Sequence, residues 1–268
     1  MRRALPAALV SAVLSALMLG AMPAAAVPAT NFDGLVALSN CSGAVIRWSS
    51  SVGSDKALVL TNGHCFELMG ATQVVVGQPA VRDVYLLSPA GGSAGTVQTT
   101  KLLYATMNQT DVALYQLGLT FKQLRVQYGV HPITLASARP GKYAAISIIS
   151  GYWLTEYDCH LHGFAYRLHE DVWTWRNSLR YEDGGCPVIG GTSGSPVLNA
   201  SRLEIGINNT RNEDGEMCTL NNPCEENRQG AETVHPGRGY GEETWIFYTC
   251  LSSRKIDLSK IGCRLAKP

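Results

Sequence analysis

From residue 35 onward the apolar residues come in short runs, at 35–38, 44–48, 57–60, 73–76, 84–87 and 112–117, separated by clusters of Gly, Ser, Asn and Asp. Runs of this length are too short for helices but match strands, so the chain is expected to be all-β. One stretch differs. Phe121, Leu124 and Tyr128 fall at i, i+3 and i+7, which predicts one or two helical turns. Pro132 and then Pro140-Gly141 interrupt any ladder and mark a connection between two halves. A second set of runs follows at 143–149, 153–155, 172–175, 197–198 and 203–207. The segment 243–251 fits a helix or a strand by pattern; a strand leading into a short C-terminal segment is the preferred reading.

Composition sets outer bounds. With 46% hydrophobic and 16% charged residues the chain is no disordered tail, and 268 residues bury enough surface for one large β domain or two small barrels. Twenty-two basic against 21 acidic residues give no global electrostatic case for nucleic acid. Arg2-Arg3, an apolar run over 4–22 and the small residues Ala24-Ala25-Ala26 follow the order of a secretory signal, with cleavage expected after Ala26 and no stable membrane anchor left afterwards. All eight cysteines lie beyond it, and an even count in an oxidising compartment reads as four disulfides. The expected organisation is a leader at 1–26, an N-terminal barrel at 27–129, a connection at 130–141 and a C-terminal barrel at 142–268.

Three motifs carry chemistry. Thr61-Asn62-Gly63-His64-Cys65 presents an imidazole at the end of a strand; Asp111 opens the strongly apolar run Val112-Ala113-Leu114; and Gly190-Gly191-Thr192-Ser193-Gly194-Ser195-Pro196 holds a serine in a glycine-rich turn. Singly, each has a bland reading as a structural histidine, a turn-capping Asp or a tight loop. Together they supply a hydroxyl nucleophile, a base near neutral pKa to take its proton, and a carboxylate to orient that base. The glycines suit a turn whose backbone N–H groups converge on an oxyanion.

The chain thus resembles the chymotrypsin-like (trypsin-like) serine peptidases, in particular small secreted bacterial members, over about residues 35–210. The resemblance rests on Ser42-Gly43-Ala44, Thr61-Asn62-Gly63-His64-Cys65 for T-A-x-H-C, Asp111-Val112-Ala113-Leu114 for D-I-A-L, and Gly191-Thr192-Ser193-Gly194-Ser195-Pro196 for G-D-S-G-G/S-P, in that order. It implies two packed six-stranded antiparallel barrels and a secreted endopeptidase, with Ser193 as nucleophile, His64 as base, Asp111 as its orienting group, and the N–H groups of Gly191 and Ser193 as oxyanion donors. Ser195 is the competing nucleophile within the turn. A non-catalytic recognition module on the same fold, or an esterase with the same triad, stays open. Where animal relatives carry an acidic residue for their activation switch this chain has Thr192, and 27–33 leave no room for a folded pro-domain, so signal removal alone is expected to yield active enzyme.

The resemblance also implies a substrate pocket walled by Pro187 and by Asn208, Asn209, Thr210 and Arg211. Pro187 stands where trypsin proper has an Asp, so basic specificity there is unsupported; Arg211 could pair with an acidic substrate side chain. Cys41–Cys65 matches the family bridge beside the histidine. Short loops favour Cys218–Cys224 and Cys250–Cys263, which leaves Cys159–Cys186, with Cys186–Cys218 as the main rival. No metal or cofactor is implied. His160 and His162 lack a third ligand, and the acids at 213–216 and 225–226 read as solvated loops without calcium-site spacing. Protein or peptide substrates and a monomer are the expectation.

Overall fold

The computed structural model describes residues 29–268, so the leader and its cleavage after Ala26 lie outside the described residues. The first half contains β1 (Leu35–Ala37), β2 (Ser42–Arg47), β3 (Lys56–Thr61), β4 (Val74–Pro79), β5 (Asp83–Leu87), β6 (Ser93–Thr106), β7 (Val112–Thr120), α1 (Phe121–Tyr128) and β8 (Ile133–Thr134). Six strands close antiparallel in the order β1-β5-β6-β7-β3-β2, and β2 returns to β1. β4 pairs along β6, and β8 runs parallel to β2, with Ile46 opposite Ile133. Val36, Leu60, Leu86, Leu102 and Leu114 are fully buried in this half. β7 is buried on both faces through Tyr115, hence its unbroken apolar run. α1 forms as expected: Thr120 and Gln123 make a capping box, and Gly129, at φ 68°, ends the helix in the left-handed region.

The second half contains β9 (Ala145–Ser150), β10 (Thr155–Phe164), β11 (Arg167–Glu170), β12 (Trp173–Arg176), β13 (Leu179–Tyr181), β14 (Pro196–Asn199), β15 (Glu204–Arg211), β16 (Cys224–Glu226), β17 (Glu232–Val234), β18 (Gly239–Glu243) and α2 (Ile246–Thr249). A second barrel closes as β10-β13-β18-β15-β14-β9 around Ile146, Ile148, Leu161, Leu179 and Val197. The all-β double barrel is therefore the fold.

Some elements depart from expectation. The run 172–175 makes a strand, but in a separate four-stranded sheet, β12-β11-β16-β17, and not in the barrel. That sheet reaches across to the first barrel: the Trp173 and Trp175 indoles donate to the carbonyls of Met69 (2.8 Å) and Met107 (3.1 Å). Residues 153–154 form a turn instead of a strand, because Leu154 takes a left-handed φ of 53° that no ladder accommodates. The segment 243–251 does not continue as the preferred strand. After β18 it forms α2, whose Phe247 packs on Trp48 and Tyr104, so the chain end returns to the first barrel and is fastened by Cys250–Cys263. Among the described residues no helix is long and apolar enough to cross a membrane.

Candidate active site

His64 follows β3 through the turn Asn62-Gly63, and Asp111 immediately precedes β7, the neighbour of β3. The side chain of Asn62 donates to the Asp111 carbonyl at 2.8 Å and fixes the two segments together. Asp111 then grips His64 twice, its Oδ1 accepting the backbone N–H at 3.0 Å and its Oδ2 facing Nδ1 at 2.7 Å. With Nδ1 donating to the carboxylate, Nε2 keeps its lone pair for another partner. Asp111 is fully buried, and the His64 side chain is 24% exposed. Burial pulls the imidazole pKa down, but the charge and hydrogen bond of Asp111, with the charge of Glu170, outweigh it and leave His64 above its ordinary 6.5. The Cys41–Cys65 bridge staples the histidine turn to the strand entry.

The serine turn sits opposite, against the first barrel. The Ser193 carbonyl accepts from Ser42 N–H (2.8 Å), and Gly194 N–H donates to the Asn208 carbonyl (2.9 Å). Gly194 has φ 77°, and a Cβ there would collide with Thr61 Oγ1 and the Ser42 carbonyl, so the position requires glycine. Ser193 borders a cleft shared with His64 and Asp111, whereas Ser195 is fully buried. The Ser193 hydroxyl donates to the Asn209 carbonyl at 3.3 Å, and no hydrogen bond joins it to the His64 ring.

The N–H groups of Thr192, Gly194 and Ser195 have backbone acceptors, while those of Gly191 and Ser193 have none among the described residues. Trp153, in the turn that replaces the strand expected at 153–155, donates from its indole to the Gly190 carbonyl at 2.8 Å, and its ring leaves no room for a Cβ on Gly191. Thr192, at the place of the acidic switch residue, is nearly fully buried and is bound by the Asn208 side-chain amide at 3.0 Å.

The cleft is bordered by Asn208, Asn209, Thr210 and Arg211; Pro187 is exposed and does not border it, whereas Val188 does. Arg211 is anchored by its Nη1 to the Val188 carbonyl at 2.9 Å. The four bridges are Cys41–Cys65, Cys159–Cys186, Cys218–Cys224 and Cys250–Cys263; the rival Cys186–Cys218 is not formed. His160 pairs with Glu182. Of the acids at 225–226, Glu225 meets Arg180 and Arg238, and Glu226 meets Arg167 and His169.

Three residues with no sequence motif complete the surroundings. Glu170, at the end of β11, faces the cleft beside Trp173. Trp153 is described above. Glu242, on β18, is a buried carboxyl that accepts from Thr110 Oγ1 (2.9 Å), Ser178 Oγ (3.0 Å) and Asn209 Nδ2 (3.2 Å), and so ties the residue before Asp111 to the residue that holds the Ser193 hydroxyl. Burial, then the charge of Asp111, push its pKa up to about 8.

With two barrels and a His–Asp pair facing a serine turn across their junction, the class is that of the trypsin-like peptidases. Residues 41–207 match the trypsin-like peptidase domain family, and the chain belongs to that family. No curated protein matches it in sequence. Among solved structures it is similar to the MamO protease domain from Magnetospirillum magneticum in its apo form, at 14% identity and a TM-score of 0.52, covering 84% of this chain and 98% of that one. The Rv3671c protease from M. tuberculosis in its active form aligns at 15% identity and a TM-score of 0.49, covering 90% of this chain and 85% of that one. At such identities the likeness to MamO speaks for a shared fold alone.

Proposed function

We propose that the chain is a secreted serine endopeptidase. The observation that carries this reading is the doubly gripped His64–Asp111 pair, held at 2.7 Å in the same cleft as the hydroxyl of Ser193. Ser193 Oγ turns from the Asn209 carbonyl to His64 Nε2, gives up its proton and attacks a substrate carbonyl carbon. The oxyanion takes the free N–H groups of Gly191 and Ser193; Trp153, by gripping the Gly190 carbonyl, orients the peptide group that carries the Gly191 N–H. His64 next returns the proton to the leaving amine, releasing it from an acyl-enzyme that water hydrolyses by the reverse sequence. Asp111 orients the ring and stabilises its protonated form throughout.

Four disulfides and the leader composition support export. The Asn208–Thr192 hydrogen bond supports activity without a second cleavage, since the serine turn is braced from within. The substrates on this reading are proteins or peptides, cleaved by a monomer that needs no cofactor. A fluorophosphonate should label the mature protein and leave Ser193→Ala untouched. Absence of labelling in both would overturn the reading, and labelling that appears only after further cleavage would overturn the part about activation.

A further inference from the structure

Thr210 and Arg211 are adjacent on β15, so their side chains leave opposite faces of the strand. Arg211 reaches toward Val188 and the wall beside Ser193. Thr210 reaches the other way, where its hydroxyl donates to Glu170 Oε2 at 2.5 Å. The second oxygen of Glu170 accepts the Asn221 N–H at 3.0 Å, from the loop closed by Cys218–Cys224. The carboxyl is thus held between the strand that walls the cleft and a disulfide-tied loop, with 5% of its surface exposed.

Of the other buried acids in this half, Glu243 holds Arg139 and Glu225 holds Arg180 and Arg238, while Glu204 and Glu242 have no cation partner among the described residues but lie away from the cleft lining. Glu170 has no Lys or Arg within ion-pair distance among the described residues, although it borders the open cleft. Around it stand apolar surfaces: Trp173 from the accessory sheet, Leu68 from beyond the histidine turn and Leu220 from the disulfide loop, the two leucines exposed. Glu213 adds a second acid at the exposed rim. An apolar-walled space ending in a fixed carboxylate fits a side chain with a methylene stem and a cationic head.

From this geometry we propose that Glu170 forms the floor of a second substrate subsite, which takes lysine or arginine from a residue flanking the one that enters the pocket beside Ser193. The assignment rests on the reading of the cleft as a peptide-binding site. It separates two recognition tasks by strand face: Arg211 and Val188 on one side, Glu170 on the other. Burial pushes the Glu170 carboxyl above its usual value despite the Thr210 and Asn221 hydrogen bonds, so it stands to gain from a cation.

The test uses the Ser193→Ala protein, which binds without turnover, and a peptide series in which each position flanking the scissile residue carries in turn lysine, N-acetyl-lysine or norleucine. At one position lysine should bind about 10-fold or more tighter than either neutral analogue, as befits a charge-assisted contact in a partly buried setting. Adding Glu170→Gln should remove that difference between lysine and its neutral analogues, and Glu213→Gln should reduce it less. The acetyl-lysine comparison needs no substitution at Glu170, so a poorly folded Gln variant would not obscure the answer. Equal affinities at every position, failure to bind any peptide, or a lysine preference that survives Glu170→Gln would overturn the subsite. Fluorophosphonate labelling of Ser193 tests the peptidase reading separately: a labelled enzyme without lysine preference discards the subsite alone, and an unlabelled protein with it discards the catalytic reading alone.

Discussion

The molecule contains the same histidine–aspartate grip twice. In the cleft, Asp111 takes the backbone N–H of His64 at 3.0 Å and faces its Nδ1 at 2.7 Å; on the surface, Asp33 takes the backbone N–H of His131 at 2.9 Å and faces its Nδ1 at 2.8 Å. Local geometry does not distinguish them. The surroundings do. The surface pair is 55% and 18% exposed at His131 and Asp33, and beside it Arg202 donates to the Asp33 carbonyl at 2.7 Å. The cleft pair has a fully buried carboxylate, a serine turn across from it, and two further carboxyls near it, Glu170 and Glu242. A hydrogen-bonded His–Asp couple is a common way to fix a turn; what equips one for proton transfer is low dielectric, fixed charge and a hydroxyl within reach.

The sharpest way to break this contrast is Asp111→Asn. An amide cannot hold the Nδ1–H tautomer by charge, and kcat should fall by about 10⁴-fold with the fold intact. The pH profile should also change. Activity requires unprotonated Nε2, so in the native enzyme it is lost as pH falls through the raised pKa of His64, at a midpoint above 6.5. Removing the Asp111 charge leaves burial as the leading influence, which moves that midpoint below 6.5 in residual activity. A midpoint that stays in place would show that Asp111 does not govern His64.

Glu242→Gln sharpens the comparison from the other side, since it concerns a carboxyl that only the cleft pair possesses. The folded-state pKa of about 8 lies above the ordinary 4.5, so between those values the folded chain holds a proton that the unfolded chain has lost. The stability tied to this group is full below about pH 4.5 and is lost as pH rises through about 8. Gln keeps an acceptor for Ser178 and Asn209 and has no proton to lose. Urea denaturation at successive pH values should show the variant gaining on the native protein by up to about 1.4 kcal/mol per pH unit across that window. Parallel stability curves would mean that the buried carboxyl titrates normally.

The contrast between the two pairs also marks what could be read from residues alone. His64, Asp111 and Ser193 stand in local motifs, because a histidine turn, a strand-opening Asp and a glycine-rich serine turn each need particular neighbours within a few positions. His131 and Asp33 have no motif, and their pairing emerges only where the inter-barrel connection lies against the entry to β1. Glu170, Glu242 and Trp153 were likewise silent, since each matters through a partner at least 37 residues away. Strands with regular apolar runs were legible. β6 was not, because its inward positions include Thr99, which is 1% exposed and bonds the Ala80 carbonyl. The run 172–175 is legible as a strand, but its place in the separate four-stranded sheet is not, since period-two patterning reports a buried face and not which sheet covers it.

Asp33→Asn should have the smallest effect of all, and it tests whether the surface pair is only a fastening. Asn retains an acceptor for the His131 N–H, and the neighbouring Gly34, at φ 83°, keeps the turn that lies against the His131 carbonyl. What is lost is the charged contact to a ring that is more than half exposed, which in water and salt contributes about 0.5 kcal/mol or less. Urea denaturation should register at most that change, shrinking further at high salt, and kcat/KM should stay within about twofold of the native value. A tenfold drop in kcat/KM at unchanged stability would mean that the connection between the barrels transmits strain to the cleft. The two pairs would then be coupled parts of one device, and the difference in their surroundings would no longer account for the difference in their roles.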